Sequence, residues 1–373
     1  MLKSSAMIRD LAAIFFALFT ISPNISGQVI EEKRAEPGLL ALKIKSISFI
    51  KNNEYYNPLI EGYTMPGFFF QPELVYSPSS KISLKAGIHL LKYSGADKFT
   101  QVRPVFSTTL NLTEKTSITI GTLSGSDKHQ LFDPHFNSER LYNAYAEDGF
   151  QLTTVTDNLF NDTWISWENF IFKGDTTREV FTYGESFRYK SSPVADFVHF
   201  EVPVQIQFKH FGGQISNYPE PVQTFFNLAA GLRINFDLAQ KKYGLAGVEY
   251  LQFINNQLNG VSPGGISHGY ASWIRLHYKY KVLYIGAAYW KSHNFFAPNG
   301  DYIYSSVSDY QNVIVPDRKI ITNTFYLTVL PESYLEVFLG FETYYDINLK
   351  RLDNALTLHL NFEKLFILAT FKK

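Results

Sequence analysis

The stretch F-V-H-F-E-V-P-V-Q-I-Q-F, from Phe197 to Phe208, decides the fold class of this chain. Successive side chains of an extended backbone point to opposite sides. One side is apolar and holds Val198, Phe200, Val202, Val204, Ile206 and Phe208. The other side is mostly polar and holds His199, Glu201, Pro203, Gln205 and Gln207. The stretch therefore predicts a β-strand with one apolar and one polar face.

The same alternation recurs along the chain, at residues 226–236 and again at 356–362. One such strand would also suit a soluble sandwich. Repeated strands of about ten residues, separated by turn residues, are typical of a transmembrane β-barrel. Short polar connections, for example 113–115 and 279–281, alternate with longer ones, for example 125–145 and 292–319. This alternation indicates short periplasmic turns and long outer loops.

The predicted fold is all-β: a transmembrane antiparallel up-and-down β-barrel of about sixteen strands, with 14 to 18 left open. The end of the chain is ambiguous. A hairpin at Glu363-Lys364 would give an odd number of strands, so Leu352 to Phe371 is interpreted as one long last strand with a bulge near Lys364.

The N-terminal region predicts export. Leu11 to Ile21 is continuously apolar, follows Lys3 and Arg9, and is too short to cross a bilayer as a helix. We therefore expect a signal peptide at residues 1–27, a periplasmic lead-in at 28–38 and a single transmembrane barrel at 39–373. The expected location is the bacterial outer membrane.

The composition excludes several classes of protein. The formal net charge is +0, which argues against a nucleic-acid partner, and Cys is absent, which excludes a disulfide scaffold. Aromatic residues make up 16% of the chain, which suits the girdles at both membrane interfaces. The expected partners are outer-membrane lipid and lipopolysaccharide, with a homo-oligomer or other envelope proteins left open.

Charged and histidine side chains on the polar strand faces are predicted to line the lumen, because charges are costly on a lipid face. They are Lys85, His89, Arg103, His199, Glu201, Arg233, Glu249, Arg275, His277, Lys279, Glu336 and Glu342. Both signs are present, so no ion-selective ring is evident. Pairing that braces the barrel is favoured over contact with a substrate.

The loop from Gly125 to Gly149 is the most polar of the long connections. Its potential metal ligands are His129, Asp133, His135, Glu139 and Glu147, but their spacing matches no zinc signature, and neither a metal nor a cofactor is expected. The loop is either a hydrated outer surface or a segment that folds inward and narrows the pore. The residues that would form this constriction are His129, Asp133, His135, Glu139 and Arg140.

A hydrolytic site is not predicted. The chain lacks a G-x-S-x-G element, and His268 and His277 share a strand without a serine that the pattern places beside either. The protein is therefore expected not to be an enzyme.

One acidic residue does not fit the strand pattern. Glu185 shares strand parity with four aromatic residues, namely Phe181, Tyr183, Phe187 and Tyr189. It marks either a bulge in this strand or an error in the assignment of its faces.

The chain resembles the uncharacterised, porin-like outer-membrane β-barrel proteins of Bacteroidota. The resemblance rests on Pro72 to Gly95, Gly121 to Gly125, D-T-W-I-S-W-E at Asp162 to Glu168, and F-E-T-Y-Y-D at Phe341 to Asp346. It implies transport across the envelope and supplies no functional residues. The leading hypothesis is a passive channel for small hydrophilic solutes. The alternatives are a non-conducting structural or partner subunit of an outer-membrane complex, and a transporter for hydrophobic molecules.

Overall fold

The computed structural model describes residues 36–371, except 195, 214, 239–241, 261–262 and 331–333. The predicted signal peptide and most of the lead-in lie outside these residues. The β-strands are β1 Leu39–Glu54, β2 Thr64–Ser79, β3 Ile82–Tyr93, β4 Gln101–Asn111, β5 Thr116–Thr122, β6 Asp148–Val155, β7 Leu159–Asn169, β8 Glu179–Lys190, β9 Val198–Gly212, β10 Gln223–Asp237, β11 Leu245–Asn259, β12 His268–Tyr280, β13 Leu283–His293, β14 Asp317–Val329, β15 Leu335–Asp346 and β16 Arg351–Thr370.

These sixteen strands form one closed antiparallel barrel, in which each strand pairs with its neighbours in the sequence. Pairing of β1 with β16, from Leu39 opposite Thr370 onward, closes the ring. The predicted barrel of about sixteen strands is confirmed. The last strand is long and continuous, as predicted, but its extra residue is Leu368 rather than a residue near Lys364.

Short turns and longer loops lie at opposite ends of the barrel, as the sequence predicts. Short turns include residues 112–115, 156–158 and 281–282, at the end that also holds both ends of the described chain. By the rule for outer-membrane barrels this end is periplasmic. The outer loops used below are L1 (55–63), L3 (123–147), L6 (260–267) and L7 (294–316). No helix among the described residues is long and apolar enough to cross a membrane.

L3 and L7 fold into the barrel. Tyr142 and Tyr145 of L3 stack on the β1 and β2 walls, with ring centroids 4.3 Å from Phe49 and 4.9 Å from Phe69. Toward the other wall, one buried cluster joins both loops to the strands, and its aromatic members are Tyr55, Phe132, Phe253, Trp273, Trp290, Phe295, Tyr304 and Tyr344. The packing of both loops against facing walls fills the outer half of the lumen. L3 thus packs against the inner wall, and narrowing of a pore by this loop stays a prediction.

The outer wall of the barrel carries the apolar strand faces. A row of large side chains crosses β11 to β15 on this wall, with Tyr250, Ile274, Tyr289, Ile321 and Tyr345 opposite one another in the register. All of them are exposed. The row runs obliquely across the apolar band, from Tyr250 in the periplasmic half of β11 to Tyr345 at the outer end of β15.

Candidate functional site

The predicted lumen residues include one connected network on four adjacent strands. Arg233 on β10 donates to Glu201 on β9 (Nη1 to Oε2, 2.9 Å) and to Glu249 on β11 (Nη2 to Oε1, 2.7 Å). Arg275 on β12 donates to the other oxygen of Glu249, at 3.1 Å. The charges alternate across the wall, and each side chain is paired. This arrangement braces the sheet and leaves none of the four charges unpaired for a substrate.

The remaining predicted lumen residues do not join this network. Arg103 donates to Asp148 (2.6 Å) and to the Ala146 carbonyl (2.7 Å), and His89 is buried with Nδ1 2.8 Å from Gln71 Oε1. The others are dispersed along the wall. Two histidines lie beside Asn235: His277 contacts it, and His199 is opposite it in the register. Glu342 accepts a hydrogen bond from Tyr326, Lys279 is exposed, and Glu336 and Lys85 lie opposite Asn361 and Ser107. The structure therefore does not assemble the predicted lumen residues into one site.

His129 of L3 is clamped between two carboxylates. Its Nε2 lies 2.7 Å from Glu147 Oε2, and its Nδ1 lies 2.9 Å from Asp162 Oδ2 on β7. Burial alone would lower the pKa of His129, but the two carboxylates outweigh it and raise the pKa to about 9. The imidazole is thus protonated at neutral pH. Because both nitrogens donate to carboxylates, the ring has no lone pair with which to act as a general base.

The space beside His129 also excludes a substrate. The cavity there, between L3 and the β7 wall, has a volume of about 10 Å³, which is the size of a single water site. An acyl ester could not enter without displacing L3. His129 therefore anchors the loop.

The other predicted constriction residues are also used to hold L3 in place. Glu139 accepts hydrogen bonds from Asn53 and Tyr63 and pairs with Lys51 (3.4 Å), while Arg140 pairs with Glu147 (3.2 Å). His135 is buried against Phe253, with ring centroids 5.2 Å apart, and burial lowers its pKa to about 3. Asp133 joins the loops through its carbonyl, which accepts from Asp301 N at 2.9 Å. Among the described residues, no group of three or more His, Asp or Glu side chains is arranged to hold a metal ion.

A different group of polar side chains lies on the lipid-facing side of the wall, at the outer ends of β12 to β14. We call it the outer-rim patch. Its members are Ser267, His268, Tyr270, Ser272, Lys291, His293, Asp317 and Lys319. The neighbouring side chains Trp290, Ser292 and Arg318 are buried on the lumen side, so the alternation of the strands directs Lys291, His293, Asp317 and Lys319 outward.

His293 and Asp317 form the centre of the outer-rim patch. They lie opposite each other on β13 and β14, with His293 Nδ1 2.8 Å from Asp317 Oδ1. Both are exposed, at 41% and 69% of the side chain. Nε2 accepts a hydrogen bond from the Asn294 side-chain amide (Nδ2 to Nε2, 3.2 Å), so Nδ1 carries the proton that Asp317 accepts. A carboxylate that orients a histidine in this way is the arrangement of a general base.

Two lysines lie just below this pair. Lys291 and Lys319 are opposite each other in the register, are both exposed, and make no ion pair with any residue in the described part of the chain. They are two residues further out than Tyr289 and Ile321, which is about 7 Å along a strand. Like charges opposite each other are unfavourable unless an anion bridges them. Both lie near the outer ends of their strands.

A serine lies beside a histidine at the outer end of β12. Ser267 directly precedes His268, and its Oγ lies 3.1 Å from His268 Nδ1 at the exposed start of β12. The statement that no serine accompanies His268 is therefore wrong. The sequence feature that indicates this contact is the adjacency of Ser267 and His268. It belongs to the outer-rim patch because His268 shares strand parity with Tyr270, whose ring centroid lies 5.7 Å from that of His293.

Comparison with known proteins places the chain in a family. A family model described as lipid A 3'-O-deacylase-type matches residues 31–371. The chain belongs to the lipid A 3'-O-deacylase-type family. No curated protein matches its sequence. The expectation that the protein is not an enzyme is therefore wrong, because the description of its family names an enzymatic activity.

Solved structures similar to this member of the lipid A 3'-O-deacylase-type family are outer-membrane barrels. A loop L8 deletion mutant of OmpT from Vibrio cholerae has a TM-score of 0.53 at 12% identity, over 87% of this chain and 99% of that chain. OprD from Pseudomonas aeruginosa has a TM-score of 0.50 at 11% identity, over 91% and 98%. In-vitro folded OmpT from Vibrio cholerae, in a trimer form, has a TM-score of 0.50 at 11% identity, over 88% of this chain and 100% of that chain. At these sequence identities the similarity concerns the fold alone. The sixteen-stranded outer-membrane barrel fold places the protein in the bacterial outer membrane.

Proposed function

We propose that this protein hydrolyses an ester-linked acyl chain of lipid A at the outer-rim patch. The observation that carries the proposal is the His293–Asp317 pair, which lies on the lipid-facing side at the outer ends of β13 and β14. The family description supports the reaction type. The filled lumen supports the exterior location, because the buried histidines of L3 are already engaged by the barrel.

In the proposed reaction, the Asn294 amide moves away from His293 Nε2, which then takes a proton from a water molecule while the water oxygen attacks the acyl carbonyl carbon. Asp317 holds the imidazole in the correct tautomer and stabilises the imidazolium that forms. Collapse of the tetrahedral intermediate breaks the bond between the carbonyl carbon and the sugar oxygen. The proton on Nε2 passes to that oxygen, and the products are a free fatty acid and a sugar hydroxyl.

Lys291 and Lys319 are proposed to bind a phosphate of the lipid, because one anion can bridge two outward cations that are one strand spacing apart. Such binding would fix the acylated sugar beside His293. Ser267 with His268 is the competing assignment for the reactive group on the same surface, with serine as a nucleophile.

The test is mass spectrometry of lipid A after incubation with the purified full-length protein in detergent. Loss of one acyl chain with release of a fatty acid is expected. His293→Gln and Asp317→Asn should each lower the rate, by about a hundredfold or more for His293→Gln. His129→Gln, which changes the buried histidine of L3, is the matched control and should leave the rate of folded barrels unchanged.

The competing assignment gives a different result. If Ser267→Ala abolishes the reaction and His293→Gln does not, the reactive group is Ser267. Intact lipid A after incubation with wild-type protein that is shown to be folded would contradict the proposed function itself.

The passive channel for hydrophilic solutes stays a prediction. Its support is the polar wall of the periplasmic half of the lumen. The similarity to outer-membrane barrels of known structure concerns the fold and adds no evidence for conductance. The packing of L3 and L7 in the outer half favours a lumen that conducts poorly. The source in Bacteroidota likewise stays a prediction. Contact with lipopolysaccharide also stays a prediction, and enzymatic activity on lipid A would support it.

A further inference from the structure

Glu185, the misfit of the strand pattern, faces the lipid. On β8 the side chains of Thr182 and Ser186, and Gly184, are buried on the lumen side, which directs Glu185 to the other face. The pairing of β8 with β7 and β9 continues without a register shift through Glu185. The position is therefore neither a bulge nor an error of face assignment.

The depth of Glu185 is close to the middle of the apolar band. Phe181 lies four residues away toward the outer end, and Tyr189 lies four residues away toward the periplasm. Trp167 sits opposite Phe181, with ring centroids 5.5 Å apart, as expected for the outer aromatic girdle. The eight residue steps from Phe181 to Tyr189 span about 26 Å along the strand, which is about 20 Å of height at a tilt of about 40°, so both aromatic residues lie near the edges of an apolar band about 25 Å tall.

A polar stripe leads to Glu185 across the lipid-facing wall of β5 to β8. Its other members are Thr116, Thr154, Asn161 and Thr163. Thr116 and Thr154 share a hydrogen bond of 3.2 Å, and Asn161 donates to Thr163 Oγ1 at 3.2 Å. Thr163 lies directly opposite Glu185. The stripe carries no cation, and Glu185 makes no ion pair with any residue that the structure describes.

The next wall shows what an ordinary lipid face looks like in this protein. At the level of Glu185, β9 carries Ile206 and β10 carries Leu228. Charged residues on the lipid side elsewhere, such as Lys291 and Lys319, lie at the outer ends of strands. An ionisable group at the bilayer middle is costly unless a partner satisfies it, and it marks a functional contact by default.

We infer that the polar stripe is the contact surface between two copies of this chain in the membrane. The stripe is self-complementary, because it holds an acceptor in Glu185 and donors in Asn161 and Thr163. A twofold contact places Glu185 of one copy against the amide or hydroxyl of the other, and the reverse. Packing of β5 to β8 against the same strands of a second copy removes the carboxyl group from lipid. This inference is independent of the reaction proposed for the outer-rim patch, which lies on β12 to β14.

The first experiment measures the mass of the full-length protein in mild detergent by light scattering, corrected for bound detergent. Wild type is expected to be a dimer. Glu185→Leu is expected to give a monomer, whereas Glu185→Gln, which keeps hydrogen-bonding capacity, stays associated. The matched control is Thr343→Leu, a polar lipid-facing residue on β15, and it should remain a dimer. Heat-modifiable mobility on gels shows that each variant is folded.

The second experiment uses the absence of cysteine from the chain. A single cysteine at Thr163→Cys should form a disulfide-linked dimer in native membranes on mild oxidation, and Thr343→Cys should not. A monomeric wild type would overturn the inference. Equal cross-linking at both positions, or a cross-link from Thr163→Cys to a different protein, would also overturn it.

Discussion

The His129 imidazole lies flat against the Trp164 indole, with ring centroids 3.7 Å apart and an angle of 12° between the planes. Two carboxylates hold both ring nitrogens, so the ring that stacks on the indole is an imidazolium. This contact ties L3 to the β7 wall inside the barrel. It also gives the loop a spectroscopic reporter.

Raising the pH should release L3 from the β7 wall. The folded pKa of His129, about 9, lies above the ordinary value of 6.5. The contribution of His129 to the stability of the fold is therefore fully present below about pH 6.5 and is lost as the pH rises through about 9. Because a protonated imidazole quenches indole fluorescence, the emission of Trp164 should increase over this range. The difference between wild type and Trp164→Phe isolates this signal. His129→Gln should show no such rise, and a rise that persists in this variant would assign it to another group.

Replacing Asp301 with Asn should stabilise L7 at neutral and alkaline pH. Burial raises the pKa of Asp301 from 3.8 to about 7, so its contribution to stability is present below pH 3.8 and is lost as the pH rises through about 7. Asn can still accept the hydrogen bond from Ile303 N, which is 3.0 Å long. Hydrogen exchange of the L7 amides should be slower in the variant than in wild type at pH 8, and equal at pH 3. Faster exchange at pH 8 would show that the carboxylate is needed.

Arg318→Leu should loosen L7 and open the lumen. Arg318 is buried, donates to Asp346 (2.8 Å) and donates to the carbonyls of Ile303 and Ser305 (both 2.7 Å). Removing it leaves a buried carboxylate unpaired, which costs about 3–5 kcal/mol. We expect wild type to give few or no conductance steps in planar bilayers, and the variant to give frequent ones. The control is Lys319→Leu, the adjacent residue on the opposite face, which should behave like wild type. Steady wide-open steps from wild type would instead support the passive channel.

Removing the outward lysines should weaken substrate binding more than the chemical step. Lys291→Gln or Lys319→Gln is expected to lower kcat/KM on lipid A by about tenfold, mainly through KM, because each removes a charge-assisted hydrogen bond to phosphate. The loss should be smaller at high salt, where the wild-type contact is screened. Lys279→Gln, at the periplasmic end of the lumen wall, serves as the control. An equal effect of Lys279→Gln would argue for a substrate path through the lumen.

Much of the barrel was predictable because strand alternation has a period of two and the two faces meet opposite solvents. The Phe197 to Phe208 stretch predicts β9 to within a residue at its start, and the same reasoning gives the number of strands. The inward course of L3 was left open, because a polar composition suits a hydrated surface and a lumen plug equally. What decides it is a set of long-range contacts, such as Tyr142 with His359, that no local pattern contains.

The candidate site was missed for a physical reason. The alternation of the strands directs attention to charges on the polar faces, and those charges line the lumen and pair with one another. His293 and Lys319 instead belong to the apolar parity of their strands, where a polar residue is an exception. Glu185 was recognised as such an exception from the sequence. Treating every exception on the apolar face as a signal, at strand ends as well as in the middle, would have found the outer-rim patch.

The pairing of β1 with β16 has a consequence for biogenesis. The seam of the barrel joins β1 to β16, so all sixteen strands must be exported before the ring can close. A precursor that lacks β16 would present two unpaired strand edges to hydrocarbon, and each unsatisfied backbone group there costs several kcal/mol. Closure of the ring therefore depends on one event, the pairing of β1 with β16, and a chain that lacks β16 cannot form this seam.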